Sequence, residues 1–118
     1  MKDFKKLIVW QKSMDLVENV FQIVGKMDMS EKISLGSQIS RSAVSIPSNI
    51  AEGAGRGTDK EFARFLDIAM GSAFELETQL MILGRTNPVL AETQADLVLN
   101  TQEIQKMLSG LKRSIKTD

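Results

Sequence analysis

The sequence predicts an all-α fold, an antiparallel up-down-up-down four-helix bundle, on three observations. Apolar residues recur at alternating steps of three and four in four separate segments, the seam of helices packed at shallow angles. No segment sustains period-2 alternation and no Asn-Gly hairpin turn occurs, so strand signals are missing. The connections between segments are short, which sets consecutive helices antiparallel. At 118 residues the chain has room for one hydrophobic core, hence a single domain over 1–118.

The first helix is expected over 4–26, with Leu7, Trp10, Met14, Val17, Phe21 and Val24 as its core seam. A second seam at Val9, Leu16 and Ile23 exceeds what a monomeric bundle needs and is assigned to exposed subunit contacts. The second helix, 31–55, carries Leu35, Ile39, Ala43, Ile46 and Ile50 after a cap at Asp28 or Ser30. The third, 59–84, carries Phe62, Leu66, Ala69, Ala73, Leu76, Leu80 and Leu83. It opens on "TDKE", a capping box in which Thr58 takes the Glu61 amide proton and Glu61 reaches back. "GRTNP" ends it near Gly84 and starts the fourth helix, 89–115, with Asn87 as cap and Pro88 in the first turn. Leu97, Ile104, Leu108, Leu111 and Ile115 form the fourth seam, with Thr101 at its one polar position.

Pro47 falls inside the second helix, where it cannot donate to the Ala43 carbonyl. Either one helix continues through it with a kink, Ser45 or Ser48 bonding the freed carbonyl, or the helix breaks and restarts at Pro47. The apolar stripe keeps phase across the proline and favours the kinked helix. "GAGRG" reads as a helix end and tight turn needing a positive φ. A dinucleotide loop would need a preceding strand, and a Walker loop a Gly-Lys-Ser/Thr.

Two polar stripes run beside the seams: Gln38, Arg41, Ser45, Ser48/Asn49 and Glu52 on the second helix, and Ser72, Glu75 and Gln79 on the third. Folding these helices back on each other sets Arg41 level with Ser72 and Glu75, and Asn49 or Glu52 level with Arg64. The stripes are candidates for an interhelical network or a subunit contact.

With no His, Cys or Tyr, the usual zinc and haem ligands and the Ser-His-Asp and Cys-His nucleophile systems are closed. No cofactor or metal is expected, no catalytic residue is assigned, and no small-molecule substrate is evident. Glu52, Glu75 and Glu77 are the carboxylates an enzyme would have to use, but no general-acid partner accompanies them. No apolar run approaches the ~20 residues of a membrane span, and the N-terminus lacks a signal-peptide pattern. A cytoplasmic protein without a membrane partner is the expectation.

Net charge is zero, yet the charges separate along the inferred bundle. One pole gathers Lys2, Lys5, Lys6, Lys12, Arg56, Lys60, Arg64, Lys106, Lys112, Arg113 and Lys116, eleven cations against seven acids, a net of +4. The rest of the chain nets −4. Lys5 and Lys6 sit at a helix N-terminus, where offsetting the macrodipole would require the opposite sign. The pole is therefore a candidate surface for a polyanion, with Lys5, Lys6, Lys12, Arg56, Lys60, Arg64, Lys112, Arg113 and Lys116 as contacts.

"LIVWQKSMDLV", "LGSQISRSAVSIPSNIAEGAGRG" and "EFARFLDIAMGSAFELETQL" occur in that order from about Leu7 to Leu83. They resemble the four-helix-bundle proteins encoded by intervening sequences within bacterial 23S ribosomal RNA genes, "SIPSNIAEG" being a specific signature. Matching positions are Trp10, Gln11, Gln38, Arg41, Ser45, Pro47, Asn49, Glu52, Gly53, Arg56, Phe65, Gly71, Ser72, Glu75 and Glu77. The chain is also similar to the accessory variability determinant of diversity-generating retroelements, a basic barrel that binds nucleic acid and a reverse transcriptase. The resemblance implies a left-handed bundle assembled as a ring-like homopentamer, with RNA or a reverse-transcriptase-like protein as partner, and no enzymatic activity. The chain departs from the family at Ser40, where a second basic residue is usual, and at Phe21, usually tyrosine. Two functions follow: a homo-oligomeric bundle that binds nucleic acid, or a nucleic-acid-processing protein, through the basic pole; or a protein-interaction scaffold without nucleic acid.

Overall fold

The structure, a computed structural model, describes residues 3–115. Four long helices follow one another: α1 (Ile8–Gly25), α2 (Ser37–Ala54), α3 (Asp59–Thr86) and α4 (Ala91–Arg113). Short 3-10 turns at Phe4–Lys6 and Pro88–Leu90 lead into α1 and α4. One helical turn at Met29–Glu31 and a π-helical turn at Lys32–Gly36 lead into α2. Among the described residues there is no strand. At 28 residues α3 spans ~42 Å, nearly the whole 46 Å long axis of the body.

Each helix packs against the next, and α4 closes back on α1. Lys12 near the start of α1 meets Glu103 late in α4, Ser42 early in α2 meets Gln79 late in α3, and Asp67 early in α3 meets Lys112 at the end of α4. Neighbouring helices are therefore antiparallel. The third seam is buried throughout, and Ile39, Ala43, Ile46 and Ile50 with Leu97, Thr101, Ile104 and Leu108 complete the far walls of the core. Each fully buried Leu or Ile contributes roughly 1.5–3 kcal/mol. Thr101 costs little to bury because its hydroxyl donates to the Leu97 carbonyl at 2.7 Å.

In α1 the expected seams exchange roles. Val9, Leu16 and Ile23, with Ser13 and Val20, face the core, whereas Met14 and Phe21 are 42% and 52% exposed. The buried line steps by four and three through Ser13, a polar residue that hides the register in an apolar count. Its hydroxyl donates to the Trp10 carbonyl at 2.8 Å, so it enters the core with its hydrogen bond made. Leu7, Trp10, Val17 and Val24 pack half-buried at the edge of the core, Trp10 and Val17 beside α2 and Leu7 beside Met107 and Leu111 of α4.

The second helix begins with a π turn where a plain α-helix is expected. Hydroxyls of Ser34 and Ser37 donate to the Ser30 and Ile33 carbonyls at 3.0 and 2.9 Å, serving carbonyls in the widened turn. Helix α2 then runs unbroken through buried Pro47. Ser45 does not serve the Ala43 carbonyl as expected, because its hydroxyl is 2.7 Å from that of Ser72. Thr58 caps α3 by accepting from the Glu61 amide at 3.2 Å, but the Glu61 carboxylate turns to Arg64 at 3.0 Å, leaving the capping box half made. Helix α3 ends at Thr86, beyond Gly84, and Asn87 caps nothing with its side chain. Its amide instead donates to Glu31 at 3.0 Å and ties the two turns at that end. Asp28 caps the entry to α2, accepting from the Glu31 amide at 2.8 Å.

Candidate nucleic-acid interface

Two glycines shape the turn at the basic pole. Gly57 has φ +89°, the left-handed region that Gly enters at least cost, and it reverses the chain between α2 and α3. At Gly53 a Cβ would lie 2.6 Å from Phe65 Cβ and 3.1 Å from Phe62 Cδ1. Only Gly lets α2 and α3 approach so closely, which gives "NIAEG" a packing reason. The close approach seats Phe65 under the turn, 5% exposed. The guanidinium carbons of Arg56 and Arg64 lie 4.9 and 4.7 Å from its ring centroid.

Across the pole, the 3-10 turn carrying Lys5 and Lys6 is held onto α1. Gln11 donates to the Lys5 carbonyl at 2.8 Å, and Phe4 meets Trp10 edge-on at 5.2 Å between centroids. Lys5 lies 5.9 Å from the centroid of Phe4. From the end of α4, Arg113 donates to Ser109 at 2.7 Å. Turn, 3-10 segment and helix end thus bring Lys5, Lys6, Arg56, Lys60, Arg64, Lys112 and Arg113 to one end of the rod. Lys12 and Lys106 lie farther up the same half. Lys2 and Lys116 lie outside the described residues.

Four of these cations have carboxylate partners: Lys12 with Glu103 at 2.8 Å, Arg56 with Glu52 at 2.5 Å, Arg64 with Glu61 at 3.0 Å, and Lys112 with Asp67 at 2.8 Å. Hydrogen bonding and charge from Glu103 raise the Lys12 pKa above its ordinary value, so it stays protonated through neutral pH. Lys5, Lys6, Lys60, Lys106 and Arg113 form no ion pair with a described residue. At that end of the rod, seven described cations stand against the five acids Asp3, Glu52, Asp59, Glu61 and Asp67, a net of +2.

The polar stripes come together between α2 and α3 through the expected Ser45, Asn49, Ser72, Glu75 and Gln79, with Ser42 in the place expected of Arg41. Ser42, not Arg41, faces α3, its Oγ 2.9 Å from both Glu75 Oε1 and Gln79 Oε1. One hydroxyl proton serves one acceptor at a time; when it goes to the carboxylate, a turned Gln79 amide donates to Ser42. One turn on, Ser45 meets Ser72, and Asn49 donates to the Ser45 carbonyl and hydroxyl at 2.8 and 2.9 Å. Arg41 and Gln38 are exposed, and Glu52 pairs with Arg56 instead of reaching Arg64. Inside the protein the network leaves no buried side-chain polar atom without a partner among the described residues.

Sequence reasoning missed two arrangements. Glu77 joins α3 to α4 by accepting from Gln105 at 2.7 Å and Gln102 at 2.9 Å, and these bonds lower its pKa below the ordinary value. A glutamate so held keeps its charge, the opposite of the raised carboxyl a general acid needs. Gln102 and Gln105, three apart on α4, were its only sequence signal. The second is an apolar groove of about 340 Å³ between α1 and α2, lined by Phe4, Trp10, Met14, Val17, Val44, Pro47, Ser48 and Ala51. Met14 and Val44 stand exposed along it, and Phe21 is exposed two turns beyond Met14 on α1. No described helix is long and apolar enough to cross a membrane.

A family model described as 23S rRNA-intervening sequence protein matches residues 5–110. A crystal structure of a protein of unknown function from the S23 ribosomal protein family of Bacteroides thetaiotaomicron VPI-5482 is similar, at 26% identity and a TM-score of 0.82. The match covers 90% of this chain and 99% of that one. No curated protein matches the chain.

Proposed function

This chain belongs to the 23S rRNA-intervening sequence protein family, and we propose that it acts without catalysis, as a homo-oligomeric bundle that binds RNA through its basic pole. The observation that carries the reading is the gathering of Lys5, Lys6, Lys60, Lys106 and Arg113, all without ion-pair partners among the described residues, in one half of the rod. Away from the end that holds Lys5, Arg56 and Arg113, six described cations stand among nine described acids. A neutral chain with charges so divided presents phosphate with an attractive end and a repulsive one. In a closed ring of parallel subunits the attractive ends add into one face.

Self-assembly draws support from the α1–α2 groove, where Met14 and Val44 expose apolar surface beside Trp10 and Pro47, and from exposed Phe21 farther along α1. The family resemblance implies a ring of five, and the reverse-transcriptase-like partner it suggests would meet the same basic face. A scaffold without nucleic acid is the second reading, favoured by the four carboxylates that already offset Lys12, Arg56, Arg64 and Lys112.

Light scattering and an RNA-binding isotherm at two salt concentrations test the proposal together. The expected mass is close to five times 13.1 kDa, with affinity falling steeply as salt rises. An assembled protein that ignores RNA in dilute buffer would leave the scaffold reading, and a monomer would remove the assembly.

A further inference from the structure

We propose that the face carrying Arg56, Lys60 and Arg64 is a stacking subsite for unpaired bases of single-stranded RNA. This inference rests on the reading above and names the class of polyanion. Phe65 forms the floor, and the two guanidinium groups lie over its ring. Each is held from the side by a carboxylate, turn residue Arg56 by Glu52 four residues back in α2 and Arg64 by Glu61 of the same helix. Aromatic floor and carboxylate clamp together fix two side chains that would otherwise sample many rotamers in water. The same side chains remain 46% and 58% exposed, so their surface away from the ring faces solvent. An arginine held in this way offers a plane on which an unstacked base can lie.

The surroundings leave that plane accessible. Residues 55–60 are exposed, and a Cβ at Gly57 would meet nothing within 4 Å beyond its chain neighbours. Lys60 is exposed one turn before Arg64 and forms no ion pair with a described residue, leaving its ammonium for the phosphate that accompanies a stacked base. A duplex keeps its base faces occupied by neighbouring bases, so only an unpaired strand uses the plane.

Charge separates this contact from general attraction to phosphate. Arg56 and Arg64 are already offset by carboxylates, so they add little to the counterion release that sets salt dependence. Stacking supplies a part of the affinity that salt does not remove.

Fluorescence anisotropy of the full chain with a labelled single-stranded RNA, its duplex and an abasic strand of equal length tests the proposal. The expected result is tighter binding of the single strand, with about a tenfold loss for the abasic strand. The Arg56→Lys/Arg64→Lys variant keeps both charges but not the planes; it should lose the same factor at an unchanged salt slope. Equal affinity for intact and abasic strands would overturn the stacking site while leaving the basic pole as an RNA surface, and the abasic arm needs no altered protein. An affinity loss in the Lys variant that appears equally with the abasic strand assigns Arg56 and Arg64 a structural role and overturns the site. Failure of every RNA form to bind in dilute buffer would overturn both readings.

Discussion

Glu77 of α3 accepts hydrogen bonds from two amides of α4, Gln105 at 2.7 Å and Gln102 at 2.9 Å. Both bonds favour the carboxylate over the carboxylic acid, so the folded pKa lies below the ordinary 4.5. The stabilisation is fully present above pH 4.5 and is lost as pH falls through the lowered folded value. Glu77→Ala should cost about 1 kcal/mol at pH 7, a partly exposed pair of charge-assisted bonds being worth less than a buried one. Urea titrations at pH 7 and pH 3 should show that gap narrowing in acid; a gap of constant size would remove the role assigned to the charge.

Ser42 and Arg41 are adjacent, yet their replacement should differ sharply. Ser42→Ala takes a partner from buried Gln79 and should cost about 1–3 kcal/mol. Arg41→Ala touches an exposed side chain without a described ion-pair partner and should stay within about 0.5 kcal/mol. Thermal melts of the two variants decide which residue belongs to the α2–α3 network.

Gly53→Ala puts a methyl group against Phe65 Cβ, an atom fixed to the backbone of α3. Helices α2 and α3 must separate to admit it, at about 1–3 kcal/mol. Chemical denaturation should register that loss, and unaltered stability would show that the close approach is not required.

The two α1 seams can be told apart by paired substitutions. Leu16→Ala empties a core position, 2% exposed, and should cost about 2–5 kcal/mol. Phe21→Glu alters an exposed residue on the α1–α2 side and should leave the helical circular dichroism intact while lowering the light-scattering mass. A mass unchanged by Phe21→Glu would take that side out of the subunit contact.

Much of this was legible in the sequence, and the gaps share a cause. Seams of uniform chemistry, such as Phe62 to Leu83, gave a helix and its buried face together. The core line of α1 and the Arg41 position on α2 were each read one residue off, because a polar residue can lie on the buried line when its hydroxyl finds a partner. Ser13 on α1 and Ser42 on α2 are both such residues. The basic pole was readable because helix order alone assigns each cation to an end. Its ion pairs were not, since Lys12–Glu103 and Lys112–Asp67 join residues 91 and 45 positions apart. The Phe65 floor under Arg56 and Arg64 likewise depends on how closely Gly53 lets two helices approach.

The RNA-binding isotherm across a salt series tests the central claim most directly. Five cations per engaged subunit without an ion-pair partner among the described residues predict that log affinity falls with log salt at a slope of about −3 to −4 for a single strand. Binding that is absent in dilute buffer, or whose strength does not change with salt, would contradict the assignment of the basic pole to RNA.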